Sequence, residues 1–307
     1  MDRSSTDRQE ICEGLLQAPA RIAPKYFYDV RGSALFEEIT RLPEYYPTRT
    51  EAAVMQAHGA DILRKVGAGG TAIEFGAGSC EKARGLCRLL RPQRFVAVDI
   101  SAEFLHEAVE RLRAEFPGLD VQPLVADLGD VVELPAGLPR EKRLLFYPGS
   151  SLGNFDPPHA LALLARFRSL IDADGALLIG IDLVKDIAVL EAAYDDAAGV
   201  TAAFNLNVLD HVNRLIGSNF QTAGWRHVAF YNALAARIEM HLEALAETQV
   251  RWPGGERRFA AGERIHTENS YKYRLAEFRA LLARAGFARS DTWTDARDWF
   301  AVVLARP

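Results

Sequence analysis

What most constrains the fold of this chain is an alternation. Five short runs rich in β-formers, "TAIEF", "RFVAVDI", "VQPLVAD", "RLLFYPG" and "GALLIGIDLV", alternate with amphipathic helical stretches such as "AEFLHEAVERLRAEF" and "PHALALLARFRSLI". Strands joined through helices return to their sheet in parallel, so the pattern dictates an α/β fold with a parallel sheet covered by helices. "RLLFYPG" and "ALLIGIDLV" are nearly continuous in apolar residues, as strands buried on both faces must be, which places them at the sheet centre.

After Lys185 the periodicity changes. "LEAAYDDAAGVTAAFNLNVLDHVNRLI" reads as helix, and "WRHVAFYNALAARIEMHLEALAETQVRW" alternates like antiparallel strands around a turn. A helix and two strands return at "RLAEFRALLARAGFARSDTWTD" and "WFAVVLARP". The expected organisation is therefore an α/β domain of residues 61–190 plus 271–307, interrupted by an insertion. The insertion, 191–270, should pack with the helical and aromatic residues 1–60 as an α+β cap domain that binds substrate.

At 307 residues with a net charge of -5, the chain offers no electrostatic footprint for nucleic acid. The polar N-terminus lacks a signal-like apolar core, and no run reaches membrane-spanning length, so a cytoplasmic protein without membrane partners is expected. Cys12, Cys80 and Cys87 lack paired spacing and read as reduced thiols. The seven histidines show no paired spacing with an acid, and no metal is expected.

In "IEFGAGSCEKAR", Glu74, Gly76 and Gly78 sit where the first sheet strand turns into a helix. Glycines there allow a tight turn and close approach of backbone N–H groups to a ligand. A dinucleotide fingerprint would want glycine at position 81, where this chain has Glu81, which weakens a pyrophosphate reading. Asp99, ending the second strand, is placed to accept from ribose hydroxyls, and Asp127, ending the third, to meet an adenine amino group. An acid at each of three successive strand ends suits S-adenosylmethionine, which brings a ribose, an adenine and an amino-acid tail but no phosphate. Lys82 and Gly149 complete the expected cofactor set. In "FYPGSSLGNF", Asn154 offers donors and an acceptor at the carboxyl end of the next strand; its bland role would be to cap the helix beginning near Pro157.

Taken together, "PKYFYDVRGSALFEEITRLPEYYPTRTE", "EFGAGSCEKAR", "PGSSLGNF", "DLVKD", "AYDDAAGVTAAFNLNVL", "RIEM" and "TENSYKY" resemble the histidine Nα-methyltransferases of ergothioneine biosynthesis, along nearly the whole chain. That resemblance implies a class I S-adenosylmethionine-dependent methyltransferase domain, Rossmann-like, with a second domain made from the N-terminus and the insertion. The implied acceptor is L-histidine, converted by three transfers into its betaine, hercynine. It also implies that Asn154 and Tyr194 meet the substrate carboxylate, that Tyr28 lies near the amine, and that Tyr45, Glu268 and Ser270 meet the imidazole with Met240 against the ring; because the amine must lose protons before it is methylated, Tyr28 is the expected guide for them. If "TENSYKY" is extended, Glu268 and Ser270 point the same way, so one can accept an imidazole N–H while the other serves the second nitrogen. Cys80 departs from the expected small polar residue in the cofactor turn, and His241 should follow the pocket methionine on the opposite strand face. A monomer is expected. Two alternatives stay open: a methyltransferase of the same family acting on another amino acid such as tryptophan, and a non-catalytic S-adenosylmethionine-binding protein.

Overall fold

The structure is a computed structural model that describes residues 3–307. Along the chain run α1 (Arg3–Leu16), β1 (Ala20–Arg21), a 3-10 turn (Pro24–Phe27), α2 (Val30–Ile39), α3 (Tyr46–Val66), β2 (Thr71–Phe75), α4 (Glu81–Leu90), β3 (Arg94–Asp99), α5 (Ala102–Glu115), β4 (Asp120–Val125) and β5 (Arg143–Tyr147). There follow a 3-10 turn (Ser151–Asn154), α6 (Pro157–Ser169), β6 (Ala176–Asp182), α7 (Ile187–Ala192), α8 (Val200–Ile216), β7 (Trp225–Asn232), β8 (Arg237–Ala244), β9 (Thr248–Trp252), β10 (Gly255–Phe259), β11 (Arg264–Tyr271), α9 (Leu275–Arg284), β12 (Arg289–Thr294) and β13 (Phe300–Arg306).

The chain forms two compact units, Met1–Tyr46 with Asp186–Ser270, and Pro47–Lys185 with Tyr271–Pro307. These divisions differ from the expected 60/61 and 190/191, and the first two residues of the expected cap segment lie outside the described residues. The shift at the N-terminal side has a packing cause. Helix α3 continues unbroken to Val66, and its Val54 and Ile62 are buried in the core that covers the large sheet. At the second division, Lys185 is tied back to Asp182 by an ion pair of 2.5 Å, and the next residue, Asp186, caps α7 through Ala188 N–H.

The second unit holds a seven-stranded sheet in the order β12-β13-β6-β5-β2-β3-β4. Strands β2 to β6 are mutually parallel where they pair, and β13 and β12 close one edge in antiparallel fashion. As expected from their apolar runs, β5 and β6 lie inside the sheet and are buried at every position. Alternate residues feed two cores: Ala72, Phe95, Phe146 and Leu178 on one face, Ile73, Val96, Tyr147 and Ile179 on the other. That arrangement sends the carboxyl ends of β2, β3, β4, β5 and β6 to one end of the sheet, where an open α/β sheet binds its ligands.

The first unit carries a four-stranded sheet, β1-β11-β8-β7, and the separate β9-β10 hairpin. β7 and β8 pair antiparallel from Trp225↔Ala244 to Asn232↔Arg237, as their alternation required. The two-residue β1 pairs in parallel with β11, Ala20↔Ile265 and Arg21↔His266, and so joins the N-terminal segment to the insertion. Helix α8 buries Phe204, Val208, Leu209 and Val212 along one stripe.

Candidate active site

In the second unit the glycine-rich turn leaves β2 with φ +71 at Gly76 and +50 at Gly78, and the space where a Cβ would stand is open at both. Cys80 takes φ +60, a conformation uncommon outside glycine, just before α4. Its thiol is buried, and burial raises its pKa, so it behaves as an inert packing group. Glu74 is 1% exposed, and its Oε2 is buried with no hydrogen-bond partner. Burial pushes this carboxyl well above the usual range; the Lys82 ammonium opposes the rise, and the carboxylates of Glu51 and Asp99 add to it.

An orphaned acid in a donor turn calls for a cationic partner, and the ammonium of a methionine-type tail supplies one. The second unit therefore fits the expected cofactor on a feature of its own geometry. Asp99 accepts Gly78 N–H through Oδ2 and Ser101 N–H through Oδ1, both at 2.9 Å, so it braces the turn while keeping free lone pairs. Asp127 accepts Gly129 N–H at 2.8 Å in a local turn. The local bracing that competes with a ligand role is thus present at both acids.

Lys82 extends from the start of α4 to Glu51 Oε2 at 2.7 Å. Gly149 N–H donates to the same carboxylate, at 2.9 Å to Oε1 and 3.1 Å to Oε2. Glu51, 3% exposed and carried by α3, is a residue that motif reasoning missed; only its place in "PTRTE" signalled it. Asn154 ends the 3-10 turn after β5 and is half-buried. It does not cap α6. That role belongs to Asp156, which accepts His159 N–H at 3.0 Å.

In the first unit, Tyr28, Tyr45 and Tyr194 belong to one aromatic cluster. The Phe36 ring stands edge-on to Tyr28 at 5.8 Å and to Tyr45 at 6.2 Å, and Tyr45 stands edge-on to Tyr194 at 6.2 Å. Phe204 of α8 packs edge-on against Tyr28 at 5.9 Å. Tyr194 Oη is hydrogen-bonded to Ser270 Oγ at 2.7 Å. Glu268 and Ser270 lie two apart on β11, so their side chains share a face, and both are buried. Met240 is 1% exposed on β8 between buried Glu239 and half-buried His241.

A polar network behind these residues was not legible as a motif. Asn205, fully buried on α8, donates to His227 Nδ1 at 2.8 Å and to the His241 carbonyl at 3.0 Å. Thr267 Oγ1 donates within reach of Asn205 Oδ1 at 2.8 Å and the Met240 carbonyl at 3.0 Å. His227 Nε2 lies 2.8 Å from the Tyr194 carbonyl, which fixes the neutral tautomer with its proton on Nε2. Burial lowers the pKa of this imidazole and keeps it neutral. One asparagine thus links the backbones around Tyr194, Met240 and Glu268.

Glu239, His241 and His266 bring ligand-type atoms within 4.8 Å of one another, a grouping that sequence spacing could not show because it forms across β8 and β11. Most of its polar atoms are committed, while His241 Nδ1 is buried with no hydrogen-bond partner. Glu239 Oε1 accepts from Arg237 at 2.6 and 2.8 Å and from Asn232 at 2.9 Å, Oε2 meets His241 Nε2 at 3.0 Å, and His266 Nε2 meets Asn269 Oδ1 at 2.9 Å. With Arg264 also placed over the Phe230 ring that stacks on His241, the group is a cation-flanked network.

Residues 7–307 match the model of the histidine-specific methyltransferase family, SAM-dependent. The chain is 41% identical over 305 residues to a histidine N-alpha-methyltransferase of Mycolicibacterium smegmatis, and 39% identical over 305 residues to one of Mycobacterium tuberculosis. Each alignment covers 97% of this chain and 94% of the relative. Among solved structures, an S-adenosylmethionine-dependent methyltransferase from Clostridium acetobutylicum superposes with a TM-score of 0.52 at 12% identity, covering 88% of this chain and 97% of that one. That likeness is one of fold.

Proposed function

From the premise that this chain belongs to the histidine-specific, S-adenosylmethionine-dependent methyltransferase family, we propose that it transfers methyl groups to the α-amine of L-histidine, three in succession, giving hercynine. The observation that carries this reading is the pair Glu268 and Ser270. Two buried polar side chains stand on one face of β11, and a Tyr194 hydroxyl is bound to the second. A carboxylate that accepts one imidazole N–H and a hydroxyl that serves the other nitrogen favour a ring that can make both hydrogen bonds over one that cannot. A silent binder of the donor has no use for such a pair.

The bound donor supplies an activated methyl on a sulfonium. Glu74 would hold its ammonium, Asp99 its ribose, Asp127 its adenine, and Gly76, Gly78, Lys82 and Gly149 the remaining contacts. On the acceptor side, Tyr194 and Asn154 take the carboxylate, Tyr45 and Met240 flank the ring, and Tyr28 lies near the amine. A free amino acid carries an ammonium near neutral pH, and a lone pair is needed for each transfer. A proton therefore leaves before every one of the three transfers, and Tyr28, directly or through water, guides it. Alignment of the amine with the methyl does the rest, with effective molarity in place of a metal or a covalent intermediate.

Mass spectrometry of the pure protein with S-adenosylmethionine and an equimolar mixture of amino acids tests the reading. Gains of one, two and three methyl groups on histidine alone are expected. Methylation of tryptophan, or none, would overturn it.

A further inference from the structure

We propose that Glu51 is the positioning residue of the donor site, holding both the Lys82 ammonium and the β5–α6 loop, and that position 180 is glycine to make room for it. The proposal rests on the reading of the β2–α4 turn as the place of S-adenosylmethionine.

A carboxylate 3% exposed needs a reason to be ionic, since an apolar side chain would pack there at less desolvation cost. Glu51 joins three elements. From α3 it reaches Lys82 at the start of α4 at 2.7 Å, and it accepts Gly149 N–H after β5 at 2.9 and 3.1 Å. A Cβ on Gly180 in β6 would come within 2.0 Å of Glu51 Oε1 and only 3.0 Å from the Phe300 ring, so the carboxylate is the group it displaces first. A Cβ on Gly149 would likewise come within 2.7 Å of Lys82 Nζ.

The loop needs this acceptor. Gly149 and Ser150 are successive left-handed residues, φ +78 and +58, which turn the chain out of the β5 ladder. Gly149 N–H therefore bonds to Glu51, while Ser150 Oγ accepts the Asp182 N–H at 2.8 Å and pins the next residue. Asn154 follows within the same turn. Lys82 and this loop thus share one buried anchor, and moving the anchor moves both.

A purely structural Glu51 would alter unfolding and leave donor affinity coupled to nothing. Calorimetric titration of the full chain with S-adenosylhomocysteine distinguishes the two, using Glu51→Gln, Lys82→Met, their double variant and Gly180→Ala. Each single variant is expected to weaken binding roughly tenfold, the loss of one charge-assisted contact. The double variant should be no more than about twofold weaker than the weaker single, because both act through one ion pair. Gly180→Ala, which keeps the charge and displaces it, should reproduce Glu51→Gln, and it carries the test if Glu51→Gln does not fold. Additive losses, or unchanged affinity in Gly180→Ala, would overturn the proposal alone. A parent protein that binds no donor analogue would overturn the donor-site reading and this inference with it.

Discussion

Tyr194 Oη and Ser270 Oγ share a buried hydrogen bond of 2.7 Å, which makes one unit of two residues whose expected partners on the substrate differ, carboxylate for one and imidazole for the other. Tyr194→Phe removes an acceptor contact and also leaves Ser270 one bond short, at a cost of about 1–3 kcal/mol. The expected result is a KM for histidine raised about tenfold or more with donor affinity unchanged. Ser270→Ala should do the same, and the double variant should lose less than the two combined. Initial-rate kinetics over a histidine series, with calorimetry of the donor, check this; a loss confined to donor affinity would contradict the placement.

Asp99 is the clearest case where geometry changes what a substitution should do. Read from sequence alone, Asp99→Ala would simply remove a ribose acceptor. In the structure its oxygens also hold Gly78 N–H and Ser101 N–H, so the alanine variant should lose about 1.5–3 kcal/mol of donor binding and a measurable part of its thermal stability as the turn loosens. Asp99→Asn retains one acceptor oxygen and should fall between. Differential scanning calorimetry of both variants beside donor titrations separates the two effects, and an alanine variant with the parent's affinity would remove Asp99 from the ribose.

The centre of the sheet was legible because β2, β5 and β6 are local apolar runs and each core face follows from period-two alternation, as Ile73 and Ala72 on opposite faces illustrate. Glu74, Asp99 and Asp127 lie at or just after the carboxyl ends of β2, β3 and β4, the positions expected from the order of the apolar runs. Glu51, Asn205 and His227 were not legible. Their roles are made by contacts over 98, 36 and 33 residues, to Gly149, the His241 carbonyl and the Tyr194 carbonyl, and no local pattern encodes such a distance. The N-terminal division differs from 60/61 for a related reason: α3 has no break at 60, and only its packing shows which core it serves.

Glu74 predicts a proton linkage. Its carboxyl is held well above the ordinary range by burial, so a fraction is protonated where a free glutamate is ionised. A donor ammonium favours the ionised form, lowers this pKa and expels the proton. Donor affinity should therefore rise as pH rises through the raised pKa and level off above it. Titrations in two buffers of different ionisation enthalpy should show net proton release, absent in Glu74→Gln. Equal heats in both buffers for the parent would remove the ammonium from Glu74.

Stability in acid should fall in two stages within the first unit. Burial holds His241 down to about 4, so the folded protein favours the neutral ring. The unfolded chain binds that proton more readily, and stability is lost as pH falls from the ordinary histidine range of about 6.5 toward 4. Glu239 is held at about 2 by hydrogen bonds from Arg237, Asn232 and His241, against the opposing effect of burial. Its contribution, present above the ordinary glutamate range, is lost as pH falls from about 4.5 toward 2. Urea unfolding across pH should show His241→Phe flattening part of the upper stage, which the buried His227 and His266 share, and moving the lower stage as Glu239 loses one hydrogen bond; an unchanged upper slope would assign it elsewhere.

Specificity rests on Glu268 with Met240. Glu268 is 8% exposed on β11, and Met240, 1% exposed on the neighbouring β8, has its carbonyl tied to Thr267, the residue before Glu268. An indole lacks the second ring nitrogen and is larger than an imidazole, so it forgoes the Ser270 hydrogen bond and meets a filled volume together. Glu268→Ala removes the polar demand and Met240→Val the bulk. The double variant should lose histidine turnover by orders of magnitude while its affinity for tryptophan rises, and the gain should exceed the sum of the single variants because the two residues restrict one ring. Competition between the two amino acids in all three variants decides it: a double variant that still prefers histidine would return Met240 to the core and Glu268 to a structural role.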